Sequence, residues 1–89
     1  MAGMVGMNVE EVRALASQLT AAATEVQGIT SKLSSKLSST TWVGNDRQTF
    51  ESDWTSTHVQ NLNRVVEALN HAAQSATRNA ADQEGVSNA

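Results

Sequence analysis

The chain has 89 residues, a net charge of −3 and no cysteine, proline or tyrosine. That length allows one small domain, and without cysteine neither disulfides nor thiolate metal sites can staple it. The six basic residues stand singly, so no cluster exists to neutralise a run of phosphates and nucleic-acid binding is not expected.

Met1 to Met7 are apolar, but Gly3 and Gly6 interrupt them and no basic flank precedes them. The segment does not read as a secretory signal, and no apolar run in the chain reaches membrane-spanning length. Residues 1–7 are expected to form a flexible lead-in to a helical hairpin domain spanning 8–84.

A first helix is predicted from Asn8. Asn8 can cap it, Glu11 completes a capping box, and Met7 can staple onto Val12. Val12, Leu15, Leu19, Ala22, Val26, Ile29 and Leu33 then step alternately by three and four, the period of helices that pack at shallow angles. A second row, Val9, Ala16, Ala23, Thr30 and Leu37, lies beside the first and widens the apolar face to one suited to a multi-helix bundle. Serines and threonines gather from Ser31 to Thr41 and compete for backbone hydrogen bonds, so the helix is expected to end between Leu37 and Thr41.

Trp42-Val43-Gly44 follows, the strongest turn signal in the chain, and glycine accepts backbone conformations closed to other residues. The expected turn motif comprises Trp42, Gly44, Phe50 and Trp54, with Trp42 wedged between the arms. Asn45 or Asp46 is expected to cap a second helix. Phe50, Trp54, His58 and Leu62 fall four apart, after which the stripe settles into Leu62, Val65, Leu69, Ala72 and Ala76, flanked by Val59, Val66, Ala73 and Ala80. Beyond Ala76 the stripe thins, and residues 85–89 are expected to be a mobile tail.

The predicted fold is all-α: an antiparallel two-helix hairpin bent at Trp42-Val43-Gly44. Its wide, alanine-rich faces and modest stock of large side chains imply a companion helix pair, giving a dimeric four-helix bundle. The expected seam comprises Val12, Leu15, Leu19, Val26, Ile29, Leu33, His58, Leu62, Val65, Leu69 and Ala72. His58 and His71 lack a ligand partner one turn away, and Asp46, Glu51 and Asp53 read as helix-end charges. With no nucleophile pattern, phosphate loop or enclosing pocket, neither an enzyme nor a metal or cofactor site is expected.

Trp42-Val43-Gly44 between two helices of this size, followed by Asn45-Asp46, Phe50 and Trp54, resembles the Trp-x-Gly (WXG) family of roughly hundred-residue, ESAT-six-like proteins. Such proteins are substrates of type VII secretion in actinobacteria and other Gram-positive bacteria. The resemblance implies a hairpin that pairs as a homodimer, or as a heterodimer with a related small helical protein. It further implies passage from the cytoplasm through an ATPase-driven channel to the outside, without a cleaved signal peptide. The family's C-terminal export signal, a Tyr followed four residues later by Asp or Glu, has no counterpart here, since the chain contains no Tyr. Either a partner carries the signal or a divergent one lies around Arg78, Asp82 and Glu84. The expected function is therefore binding, with the turn motif read by the export apparatus. An adaptor that escorts a larger toxin to that machinery is an alternative. A membrane-active effector is a lesser one, because the acidic net charge weakens attraction to anionic lipid and stable membrane insertion is not expected.

Overall fold

The computed structural model describes residues 6–88, with side chains through residue 85. The expectations for residues 1–5 and for Ala89 lie outside the described residues. Three helices follow in order, α1 (Val9–Ser39), α2 (Asn45–Asp53) and α3 (Val59–Asn88), with a π-turn at Trp54–His58 joining α2 to α3 as one second arm. No strand occurs among the described residues. Two interactions far apart in sequence, Ser34 with Trp54 and Arg13 with Glu84, show that the arms run antiparallel. The result is a rod of 66 × 17 × 14 Å.

The start of α1 follows from its capping residue. Asn8 has extended backbone angles, and its side chain accepts a hydrogen bond from the Glu11 backbone N–H at 3.0 Å. That contact satisfies one of the donors a helix start leaves unpaired. Glu10 and Glu11 occupy the first turn and Lys36 the last, each favourably placed against the helix dipole. The helix ends at Ser39, inside the expected window, where hydroxyls take over the work of helix amides: Ser39 Oγ and Thr40 Oγ1 both donate to the Lys36 carbonyl.

The second arm departs from expectation in three places. Its N-cap is Gly44, with φ 117° and ψ −175° and no side-chain capping bond, whereas Asn45 or Asp46 was expected there. The chain must reverse within the few residues after Ser39, and it does so through a backbone conformation that is essentially glycine's alone. Asn45 therefore becomes the first helical residue, and Asp46 serves the first turn as a charge. The π-turn was not foreseen. Lastly, the arm stays helical across Gly85 to Asn88.

The core is thin and built of small residues. The buried hydrophobic side chains are Ala16, Ala23, Val66, Ala73 and Ala80, with Val9, Thr30 and Val59 half-buried in the same heptad rows. Small side chains let two helix backbones approach closely, whereas Leu or Ile would hold them apart. The row taken from the sequence as a flank is therefore the row that closes the hairpin.

Candidate interaction surface

At the closed end, Arg47 organises the bend. Its Nη1 donates to the carbonyls of Thr40 at 2.8 Å and Trp42 at 3.1 Å, tying the first turn of α2 to the start and the middle of the connecting segment. Its Nε lies 3.3 Å from Glu51 Oε1, near enough for charge attraction but off-line for a hydrogen bond. The guanidinium's fork geometry suits this task, since lysine offers no comparable planar set of donors. Sequence reasoning counted Arg47 only as a scattered charge. The available signal was a lone Arg three residues after the glycine of a turn, one helical turn before Glu51.

So held, the segment displays its apolar residues. Val43 is 89% exposed and Trp42 38% exposed. The Trp42 ring lies against Phe50, centroids 5.3 Å apart and tilted by 51°, in the offset arrangement that aromatic pairs favour. The aromatic that spans the arms is instead Trp54, whose Nε1–H donates to Ser34 Oγ at 2.9 Å. Trp42 is thus a displayed side chain at the tip, and the wedge role expected of it falls to Trp54.

The π-turn explains why Trp54 can do this. The Val59 N–H bonds the Trp54 carbonyl, five residues back, which inserts one residue relative to an α-helix. A regular helix carrying Leu62 on its inner side would present Thr55 one heptad earlier. The inserted residue brings Trp54 to that place, half-buried, and leaves Thr55 exposed. His58 sits at the end of the turn, exposed, with its ring 6.2 Å from that of Trp54. Leu33, Leu37, Phe50 and Trp54 together line a shallow apolar depression of about 190 Å³.

Along the rod the two sides differ in chemistry. On one side the expected seam is only partly covered: Leu15 is 51%, Ile29 53%, Leu33 46% and Val65 45% exposed, and Phe50 of the turn motif continues the stripe at 46%. Val12, Leu19, Val26, Leu62, Leu69 and Ala72 are half-buried beside them. The heptad rows four residues past the core rows are polar, comprising Arg13, Thr20, Gln27 and Ser34 on α1, with Asn63, Asn70, Thr77 and Glu84 on α3. Thr20, Asn70 and Thr77 line a shallow groove there with Gln74 and Arg78. An uncovered apolar stripe on one side only marks a surface for association.

At the open end Arg13 and Glu84 form a two-pronged ion pair, with nitrogen to oxygen distances of 2.6 and 3.2 Å. Of the three residues considered for a divergent C-terminal signal, Glu84 is therefore engaged with α1, while Arg78 and Asp82 are exposed on α3. The hydrogen bond and charge of Arg13 lower the Glu84 pKa from its ordinary value and raise that of Arg13. A depressed carboxylate pKa stabilises the paired state above the unfolded carboxylate range, and the contribution disappears as pH falls through the folded value. The protection of the backbone amides around Glu84 against hydrogen exchange, taken relative to the intrinsic exchange rate at each pH, is expected to fall on acidification through and below the carboxylate range. Arg13→Gln is expected to remove that pH dependence. Both partners are about half exposed, so added salt is expected to weaken the effect.

Among the described residues, no cluster of His, Asp or Glu could hold a metal ion, and no helix is long and apolar enough to cross a membrane. No protein-family model, characterised protein or solved structure matches the chain.

Proposed function

We propose that this chain is a non-enzymatic helical interaction protein of the Trp-x-Gly, ESAT-six-like kind, which pairs through its apolar side into a four-helix bundle and is exported by type VII secretion. The observation that carries the reading is the pairing of two features on one hairpin: a tip that displays Trp42 and Val43, and a stripe of large aliphatic side chains that the hairpin itself leaves uncovered. Each has a use in this scheme. The stripe buries against companion helices, and burial of a large aliphatic side chain contributes about 1.5–3 kcal/mol. The tip, braced by Arg47, offers a rigid apolar address to the export ATPase or channel.

Export of Trp42→Ala, measured as the ratio of secreted to retained protein in a type VII-competent bacterium, is expected to fall strongly. Thermal stability of the purified variant should change little, because Trp42 contributes no buried side chain to the core. Secretion equal to wild type would overturn the recognition role of the tip. Secretion of the wild-type chain from a strain lacking the export ATPase would overturn the route.

A further inference from the structure

We infer that the π-turn is a hinge with two registers, in which Trp54 and Thr55 exchange the place between the arms and the tip is re-aimed as they do so. In the first register the Val59 N–H bonds the Trp54 carbonyl, and Trp54 reaches across to Ser34. In the second, the Val59 N–H bonds the Thr55 carbonyl, the ordinary step of an α-helix, and Thr55 takes the inner place. The exchange turns α2 by about 100° around its axis and moves it about 1.5 Å along it, the offset of one residue. Trp54 is then turned outward.

Three observations bring the two registers close in energy. No side chain of α2 or of the π-turn is fully buried, so the exchange gives up little packing beyond the half-buried indole. The bond that holds Trp54 inside, from its Nε1–H to Ser34 Oγ at 2.9 Å, is replaceable, because Thr55 brings a hydroxyl that can donate or accept. Thr55, Ser56 and Thr57 stand in succession, residues whose hydroxyls compete with the helix ladder. Ser56 Oγ already donates to the Ser52 carbonyl at 2.6 Å.

The tip is coupled to the hinge. Arg47 holds the carbonyls of Thr40 and Trp42 and Trp42 packs on Phe50, so the displayed residues move with α2. The surroundings of Gly44 are open and nothing there blocks the movement. A partner at the tip gains the Trp54 indole only in the second register, and that difference in contact is what lets it select one state over the other. This use of the hinge rests on the reading of the tip as an export address; the hinge itself does not.

Trp42→Phe leaves Trp54 as the only indole, so quenching of its fluorescence by acrylamide reads the register. Deleting Thr55 removes the inserted residue and leaves a continuous α-helix with Trp54 inside. Thr55→Leu favours the second register, because leucine is the better helix former and gains more from the inner place. Against the Trp42→Phe parent, quenching is expected to fall about twofold on the deletion and to rise about twofold with Thr55→Leu, with helical content unchanged. Equal quenching in all three overturns the hinge, as does a deletion variant whose Trp54 is more exposed than the parent's. With Trp42 restored, the deletion is expected to lower export several-fold without lowering the melting temperature, whereas Thr55→Leu preserves export. A deletion variant secreted like wild type, where Trp42→Ala is retained in the cell, overturns the part of the hinge in export and leaves the address standing. Secretion of Trp42→Ala like wild type removes the address, and with it the use of the hinge in export, while the quenching still decides whether the hinge exists.

Discussion

Gly44→Ala is expected to destabilise the hairpin by about 1–3 kcal/mol, the cost of forcing a residue with a β-carbon into a backbone region that only glycine occupies readily. The geometry isolates the cause. No atom lies within 4 Å of a β-carbon built at Gly44, so the penalty comes from φ 117° itself and not from a neighbour. Gly28 supplies the opposite control. It lies inside α1 with equally open surroundings, and Gly28→Ala is expected to stabilise by about 0.5–1 kcal/mol through helix propensity alone. Urea or thermal unfolding followed by circular dichroism should therefore move in opposite directions for two substitutions of the same chemistry. Equal shifts would show that the bend does not depend on the conformation of Gly44.

That contrast also marks what could be read from the amino-acid order. The reversal at Trp42-Val43-Gly44 was legible because only one segment between the two periodic stretches combines a glycine with a break in the apolar pattern. The use of the glycine was not. A turn glycine can end the first helix or start the second, and the choice depends on which hydroxyls and amides satisfy the freed backbone groups. Here Ser39 and Thr40 close α1 through the Lys36 carbonyl, which leaves Gly44 to open α2. Arg47 was equally hidden, because its value lies in reaching two carbonyls that come together only once the chain has reversed.

The π-turn left a trace that was visible without being understood. Phe50, Trp54, His58 and Leu62 recur every four residues, whereas a straight α-helix drifts by about 40° over each such step. A run of fours followed by a settled heptad implies a local change of pitch, and the five-residue hydrogen bond at Trp54–Val59 provides it. The exposure of the expected seam residues separates those half-buried beside the core from those left open. Periodicity places residues on a helix face; it does not say which of two adjacent faces meets the other arm.

Ala73→Leu puts that last point to measurement, and it is expected to destabilise the hairpin by about 1–3 kcal/mol through overpacking between closely approaching helices. Hydrophobicity alone would predict the reverse, because the larger side chains of the neighbouring row carry more transfer energy and an isobutyl group in place of a methyl adds to it. Depth decides between the two. Ala73 is 5% exposed and Ala80 fully buried, against 51% for Leu15, so the small residues occupy the narrow space between the arms and the large ones lie outside it. The control is Ala68→Leu, an exposed position on α3, where the change is expected to stay within about 0.5 kcal/mol. If Ala73→Leu proved neutral or stabilising in thermal unfolding, the alanine row could not be the element that sets the spacing of the arms. The large aliphatics would then have to close the hairpin themselves, and no apolar side would remain for a companion to cover.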